Sequence, residues 1–143
     1  MKKEFGTKLL LFVILSMCFI NCNRYKVING IVVSELLLSV SKEQHINYCK
    51  LLSEAAKGNV NSIKQLALLK FYDAVGYDHS SVIVDLIEVI GEDKFIQSLT
   101  PINKEQKQII KDYIETGLEY GNNSNLQDQT FKEAFPKIYI FLM

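Results

Sequence analysis

The stretch SSVIVDLIEVIG at residues 80–91 carries the strongest signal for the fold of this chain. From Ser81 onward, polar side chains recur at Asp85 and Glu88, and again at Glu92 just after the stretch. These are positions i, i+4, i+7 and i+11. This spacing traces one narrow stripe along an α-helix. Since every other position from 82 to 90 is Val, Leu or Ile, the pattern predicts a central helix covered by neighbours on several sides. The β-branched content makes a buried strand the alternative.

The length and composition are those of an ordinary globular domain. The chain has 143 residues, of which 48% are apolar and 22% are charged, and this length suits one domain. Sixteen basic residues balance sixteen acidic residues. This balance argues against a nucleic acid partner, because such a partner normally requires an excess of positive charge.

Upstream of the central stretch, the pattern predicts shorter helices. Residues 31–40 suit a short helix better than a strand, and a capping-box pattern at Ser41 predicts the start of the next helix. That helix is expected to end at Gly58. Asn61 is the expected cap of a further helix that continues to Gly76.

Downstream, proline and glycine separate the predicted helices. A short helix should end before Pro101, and a capping-box pattern at Asn103 predicts a long helix that ends at Gly121. Residues 121–125 read as a loop. Pro136 should kink the last apolar segment or restart it as the first residue of a helix.

These segments together predict an all-α fold of five to seven helices, arranged as a compact bundle or as stacked helical hairpins. The phrase Ala55-Ala56-Lys57-Gly58, followed by Leu66-Ala67, resembles the helix–turn–helix unit of Sel1-like solenoid repeats. Only one copy is present, whereas a solenoid needs several.

The N-terminus has the form of a secretory signal. Lys2, Lys3 and Lys8 precede a run of 12 low-polarity residues from Leu9 to Ile20. As a helix this run would measure about 18 Å, which is too short to span a bilayer core of about 30 Å. A basic flank with an apolar run of this length is typical of a signal peptide.

The run ends in Phe19-Ile20-Asn21-Cys22, which resembles the lipobox of bacterial lipoproteins, in the relaxed form used by spirochaetes and some Bacteroidota. Phe19 stands where leucine is usual, and Asn21 where a small residue is usual. The resemblance implies that the Cys22 thiol carries a diacylglyceryl group and that cleavage before Cys22 makes it the new N-terminus. Cys18 is the alternative lipidation site.

The resulting domain organisation has three parts. Residues 1–21 are the expected signal peptide, residues 22–33 the lipidated N-terminus and a short tether, and residues 34–143 a single helical domain. The lipid on Cys22 would anchor the protein in the cell envelope, at the inner or the outer membrane.

Few residues suggest chemistry, and each of them has a structural explanation. His45 and Cys49 are four residues apart and would share a helix face, where they could activate a thiolate or bind zinc. Cys49 also suits the apolar face of a helix as a small hydrophobic residue. We therefore expect no catalytic, metal-binding or cofactor-binding residues here.

Two polar clusters lead to the same expectation. The run Asp78-His79-Ser80-Ser81 gathers an acid, an imidazole and hydroxyls, but helix capping explains such residues. The carboxylates Asp85, Glu88, Glu92 and Asp93 read as a solvated helix face.

The function expected from these features is non-enzymatic. The sequence predicts a membrane-anchored lipoprotein whose helical domain binds a protein partner. Four tyrosines are candidates for the binding surface: Tyr72, Tyr77, Tyr120 and Tyr139. The alternatives are an envelope hydrolase or ligand-binding protein, which needs a pocket joining His45 or His79 to carboxylates, and a toxin-immunity or inhibitor lipoprotein.

Overall fold

The computed structural model describes residues 25–143, and the expected signal peptide and both candidate lipidation sites, Cys18 and Cys22, lie outside this range. The described chain is mostly helical, with one antiparallel hairpin at its start. The strands are β1 (Tyr25–Ile28) and β2 (Ile31–Ser34). The helices are α1 (Glu35–Glu43), α2 (Tyr48–Ala56), α3 (Val60–Ala67), α4 (Asp73–Ile90), α5 (Glu92–Leu99), α6 (Lys104–Tyr120), α7 (Phe131–Ala134) and α8 (Pro136–Leu142).

Helix α4 is the centre of the fold, as its sequence predicts. Its side chains from Val82 to Val84, and those of Leu86 and Ile87, are buried. The helix contacts β2, α1, α2, α5 and α6. Ser81 and Asp85 of the polar stripe are half-buried and Glu88 is exposed, so the stripe forms the one face of α4 that other elements leave open.

The packing of α6 on α4 depends on a glycine. A Cβ atom at Gly117 would lie 2.3 Å from the carbonyl oxygen of Ser80 and 2.6 Å from a methyl carbon of Val84. Only a residue without a side chain allows the two helix backbones to approach this closely. This contact joins the two longest helices of the described chain.

Several predicted helix boundaries are confirmed. Asn103 and Gln106 form the expected reciprocal capping box at the start of α6, and Gly121 follows its last residue. Pro136 restarts the chain as the first residue of α8. Gly58, with a φ of 84°, follows the end of α2.

Three predicted boundaries are wrong. Ser41 does not begin a helix but lies buried near the end of α1, and Asn47 caps α2. Asn59, not Asn61, caps α3. Gly76 lies inside α4, because α3 already ends at Ala67. Short-range capping patterns recur along a polar chain, and tertiary packing decides which of them is used.

The expected tether is also replaced by ordered structure. Residues 25–34 form the β-hairpin, whose inner face buries Ile28, Ile31 and Val33. The predicted helix over residues 31–40 therefore divides into β2 and α1. Ser34 caps α1 by accepting a hydrogen bond of 3.1 Å from the Leu37 amide.

The helix count departs from the prediction as well. Eight helices in residues 25–143 exceed the expected five to seven, partly because Pro136 separates α7 from α8. The buried hydrophobic residues of the hairpin and of all eight described helices join one hydrophobic cluster. None of the described helices combines the length and the apolar composition needed to cross a membrane.

Candidate functional site

A groove lies alongside β2, where the open face of α4 and the end of α6 meet the hairpin. It consists of two adjoining concavities of about 400 Å³ and about 410 Å³, which share Asp85 and Asn122. We call it the β2 groove. Its lining comes from the hairpin, α4 and the end of α6 with the loop that follows: Tyr25, Gly30, Ile31, Val32, Ser34, Tyr77, Asp78, Ser81, Asp85, Glu88, Val89, Tyr120, Asn122, Asn123, Ser124 and Asn125.

Exposed aromatic and aliphatic side chains border this groove. Tyr77 and Tyr120 pack edge to face, with ring centroids 5.1 Å apart, yet each is more than half exposed. Tyr25 is 57% exposed and Val32 49%. Val27, which pairs with Val32 across the hairpin, extends the same apolar face. Contiguous exposed apolar surface with a polar rim is typical of interaction sites.

Polar contacts hold the walls of the groove in place. The Ser34 hydroxyl donates a short hydrogen bond to the Asp78 carboxylate, which ties the hairpin to α4. The Asn123 side-chain amide donates to Asp85, at 2.9 Å, and to Glu88, which ties the loop after α6 to α4. Partial burial raises the pKa of Asp85, and the nearby Glu88 carboxylate adds to the increase, while the bond from Asn123 opposes it.

Two of the four candidate tyrosines thus lie at the groove, and two do not. Tyr72 is exposed at the start of α4 but does not line the groove. Tyr139 lies in α8, where it is half-buried and packs edge to face on Phe131.

His79 lies in a separate, buried aromatic cluster. Its Nδ1 atom forms a hydrogen bond of 2.7 Å with the Tyr48 hydroxyl, and its ring packs edge to face on Phe71 and Tyr113. Nε2 has no hydrogen-bond partner in the described chain. The nearby Leu66 backbone carbonyl raises the pKa of His79, but burial has the larger effect. Burial lowers the pKa of His79 to about 3, so the ring is neutral at physiological pH.

The run Asp78-His79-Ser80-Ser81 therefore does not converge on one site. Asp78 faces the groove, His79 faces the core, and the Ser80 hydroxyl donates to the Gly76 carbonyl. The expectation that these residues cap a helix is wrong, because all of them lie within α4. Tyr72 occupies the N-cap position, and no side chain caps it.

His45 and Cys49 do not share a helix face, which corrects that part of the sequence analysis. His45 lies in the turn between α1 and α2, with a φ of 60°, whereas Cys49 lies in α2. Both border a concavity of about 390 Å³ whose lining in residues 25–143 includes no carboxylate. Cys49 is half-buried against the core, and its sulfur accepts a 3.4 Å contact from the Lys26 ammonium.

A further concavity of about 670 Å³ lies between α6 and the loop of residues 121–130. Glu115, Glu119 and Asp128 border it along with loop amides. Within residues 25–143, no group of three or more His, Cys, Asp or Glu side chains is arranged to hold a metal ion.

The sequence analysis missed the part of the groove that the hairpin provides. Tyr25 and Val32 fall in the segments that it assigned to a tether and to a short helix. One signal was present: Asn29-Gly30 between two short stretches rich in Val and Ile is a local indication of a two-residue hairpin turn.

Comparison with known proteins adds no relative: no family model, no curated protein and no solved structure matches the chain.

Proposed function

We propose that this protein is a bacterial envelope lipoprotein, anchored by acyl chains on Cys22, whose helical domain binds another protein. The lipobox-like sequence at residues 19–22 supports the anchor. The observation that carries the interaction role is the β2 groove, with its exposed tyrosines and valines beside polar walls. Tyrosine is enriched at protein interfaces because its ring gives large contact area and its hydroxyl can find a polar partner.

The position of the groove relative to Cys22 supports combining the two roles. Cys22 lies three positions before Tyr25, which borders the groove and begins β1. Three residues span about 10 Å at most when extended. An acylated Cys22 would therefore hold the groove close to the bilayer, within reach of partners that reside in or on the same membrane.

The hydrolase alternative finds less support in the described residues. It requires a pocket that joins His45 or His79 to carboxylates. His79 is fully buried, and in residues 25–143 the concavity beside His45 is bordered by Lys42, Asn47 and apolar groups. The exposed tyrosines and valines of the β2 groove therefore favour an interaction role over a catalytic role.

The anchor is tested by labelling cells with a palmitate analogue. We expect Cys22→Ala to abolish labelling and Cys18→Ala to leave it intact, because Cys22 follows the apolar run whereas Cys18 lies inside it. The Cys22→Ala protein should remain as an uncleaved precursor. Undiminished labelling of the Cys22→Ala protein would refute the anchor.

The interaction role is tested by site-specific photocrosslinking in the native membrane. A photoreactive phenylalanine analogue at Tyr120 should give a discrete protein adduct. The same analogue at Tyr72, a tyrosine outside the groove that is somewhat more exposed than Tyr120, is the matched control. Adducts that are the same from both positions, or absent from Tyr120, would contradict a binding site at the β2 groove.

A further inference from the structure

Three carboxylates of the β2 groove have no cationic partner in the described chain. Asp78, Asp85 and Glu88 lie on the open face of α4 and line the groove. The ion pairs of the described chain all lie elsewhere, and none of its lysines lines the groove. Lys26, in the adjacent hairpin, lies on the other face of the strand and contacts a cysteine of α2. The groove therefore has a negative charge that the described residues do not neutralise.

Two of these carboxylates are held close together by one neutral donor. The side-chain amide nitrogen of Asn123 donates to both Asp85 and Glu88. Because both acceptor oxygens bond to the same nitrogen, they lie within about 6 Å of each other. Burial, and then the charge of Glu88, raises the pKa of Asp85. An amide dipole does not cancel two like charges, so a cation beside this pair is favoured electrostatically.

An exposed aromatic pair borders the same concavity. Tyr77 and Tyr120 line it together with Asp78 and Asp85, and both rings are more than half exposed. A cation is attracted to the face of an aromatic ring, and a guanidinium group also stacks on the ring because it is planar. The rings and the carboxylates thus offer the two kinds of contact that an arginine side chain makes best, stacking and paired hydrogen bonds to carboxylates.

The space suits a side chain that enters from solvent. The concavity lined by Tyr77 and Asp85 measures about 400 Å³, a volume typical of pockets that hold small ligands. The hairpin and α4 are in direct contact beside it, because the Ser34 hydroxyl bonds to the Asp78 carboxylate. A partner must therefore approach from the solvent side and contact the groove through its side chains.

We propose that the β2 groove binds an arginine side chain from a basic surface of the partner protein. The guanidinium group stacks on the exposed ring of Tyr77 or Tyr120 and donates hydrogen bonds to the carboxylates of Asp85 and Glu88. Arginine and tyrosine are both enriched among the residues that dominate binding energy at protein interfaces. The inference deepens the proposed interaction role and rests on it, but it does not require the lipid.

A pair of peptides tests this proposal on the protein purified in non-ionic detergent. The probe is a fluorescent six-residue peptide of alternating glycine and arginine, and its control carries citrulline, a neutral analogue of the same shape, at each arginine position. By anisotropy we expect the arginine peptide to bind at least about tenfold more tightly, with a difference that shrinks as salt is added. Equal binding of the two peptides would overturn the proposal.

Variants locate the binding site. Asp85→Asn should weaken binding of the arginine peptide several-fold, whereas Asp112→Asn, on an exposed part of α6 outside the groove, should leave it unchanged. Tyr120→Leu should also weaken binding several-fold, and Tyr72→Leu is its control at an exposed tyrosine outside the groove. Equal effects within either pair of variants would overturn the assignment to the groove.

An arginine of this chain is the alternative occupant. Arg24 immediately precedes Tyr25, which borders the groove, and it lies outside the described residues. Because the proposal assigns the groove to a partner's arginine, Arg24→Gln should leave binding of the peptide unchanged. An affinity that rises at least about tenfold in this variant would show that the chain covers its own groove, and would overturn the assignment to a partner.

Crosslinking in the native membrane separates this proposal from the interaction role itself. With the photoreactive analogue at Tyr120, the additional change Asp85→Asn should lower the yield of the protein adduct, because the partner's arginine loses a charged contact. An adduct that forms at full yield in this variant would overturn the recognition of arginine and leave the groove as an interaction site. The absence of any adduct from Tyr120 would overturn the interaction role, and this proposal with it.

Discussion

Because His79 is buried and its pKa is lowered, we predict that the folded state loses stability in mild acid. In the folded protein the ring is neutral, because burial lowers its pKa from 6.5 to about 3. In the unfolded chain the same ring takes up a proton as the pH falls below 6.5. The contribution of His79 is therefore complete above pH 6.5, and it is lost progressively as the pH falls from 6.5 to about 3.

The size of the effect follows from the two pKa values. Each pH unit between them costs about 1.4 kcal/mol, so the free energy of unfolding should fall by about 2 kcal/mol from neutral pH to pH 5. A domain of this size has a total stability of about 5–15 kcal/mol, so the loss is measurable. The raised pKa of Asp85 acts in the opposite direction, because it makes the folded state bind more protons in acid.

The assay compares urea unfolding of the wild type with that of the double variant Tyr48→Phe/His79→Phe at pH 7, 6 and 5. Replacing both partners avoids leaving the Tyr48 hydroxyl unpaired in the core. We expect the variant to lose about 2 kcal/mol less than the wild type between pH 7 and pH 5. Parallel losses in the two proteins, or a His79 NMR resonance that titrates near pH 6.5, would refute the reasoning.

Three further predictions concern the packing of α4 and α6. Leu86→Asp should cost at least about 4 kcal/mol and abolish the cooperative thermal transition seen by circular dichroism, because it buries a charge in the centre of the fold; an unchanged melting temperature would show that α4 is misplaced. Gly117→Ala should destabilise the fold by about 1–3 kcal/mol despite the higher helix propensity of alanine, because the new Cβ would overlap the Ser80 carbonyl; a stabilised variant would contradict the close approach. Asn103→Ala should cost about 1 kcal/mol in urea unfolding, since it removes one half of the capping box with Gln106, and no loss would mean that the box is not formed in solution.

Local sequence patterns were sufficient for α6 and for the second half of α4, but not for the start of α4 at Asp73. The polar stripe from Ser81 to Glu88 identified α4, since a helix that is apolar on most sides must be surrounded. The capping box at Asn103 and the restart at Pro136 were also predictable, because both depend on backbone groups within a few residues.

The candidate site could be predicted only in part. Tyr77 and Tyr120 were recognised as surface candidates from their amphipathic character, but their pairing at 5.1 Å joins residues 43 positions apart. Nothing in the spacing of the chain relates those two positions. The separation of His79 from Asp78 was equally hidden, because it depends on which side of α4 the hairpin and α2 cover.

By itself, the sequence determined the mostly helical character of residues 35–143 and the second half of the long central helix, because periodicity and capping act over one or two turns; the first turns of α4, from Asp73, it assigned to the preceding helix. Asn29-Gly30 indicated a turn at residues 25–34, but only the tertiary structure decided that the flanking strands are stable and that this segment is not a tether. The reason is that a four-residue strand gains little alone, and burial of Ile31 and Val33 against the helices stabilises it. The β2 groove exists because that hairpin packs beside α4, so its walls come from segments that the chain brings together only on folding.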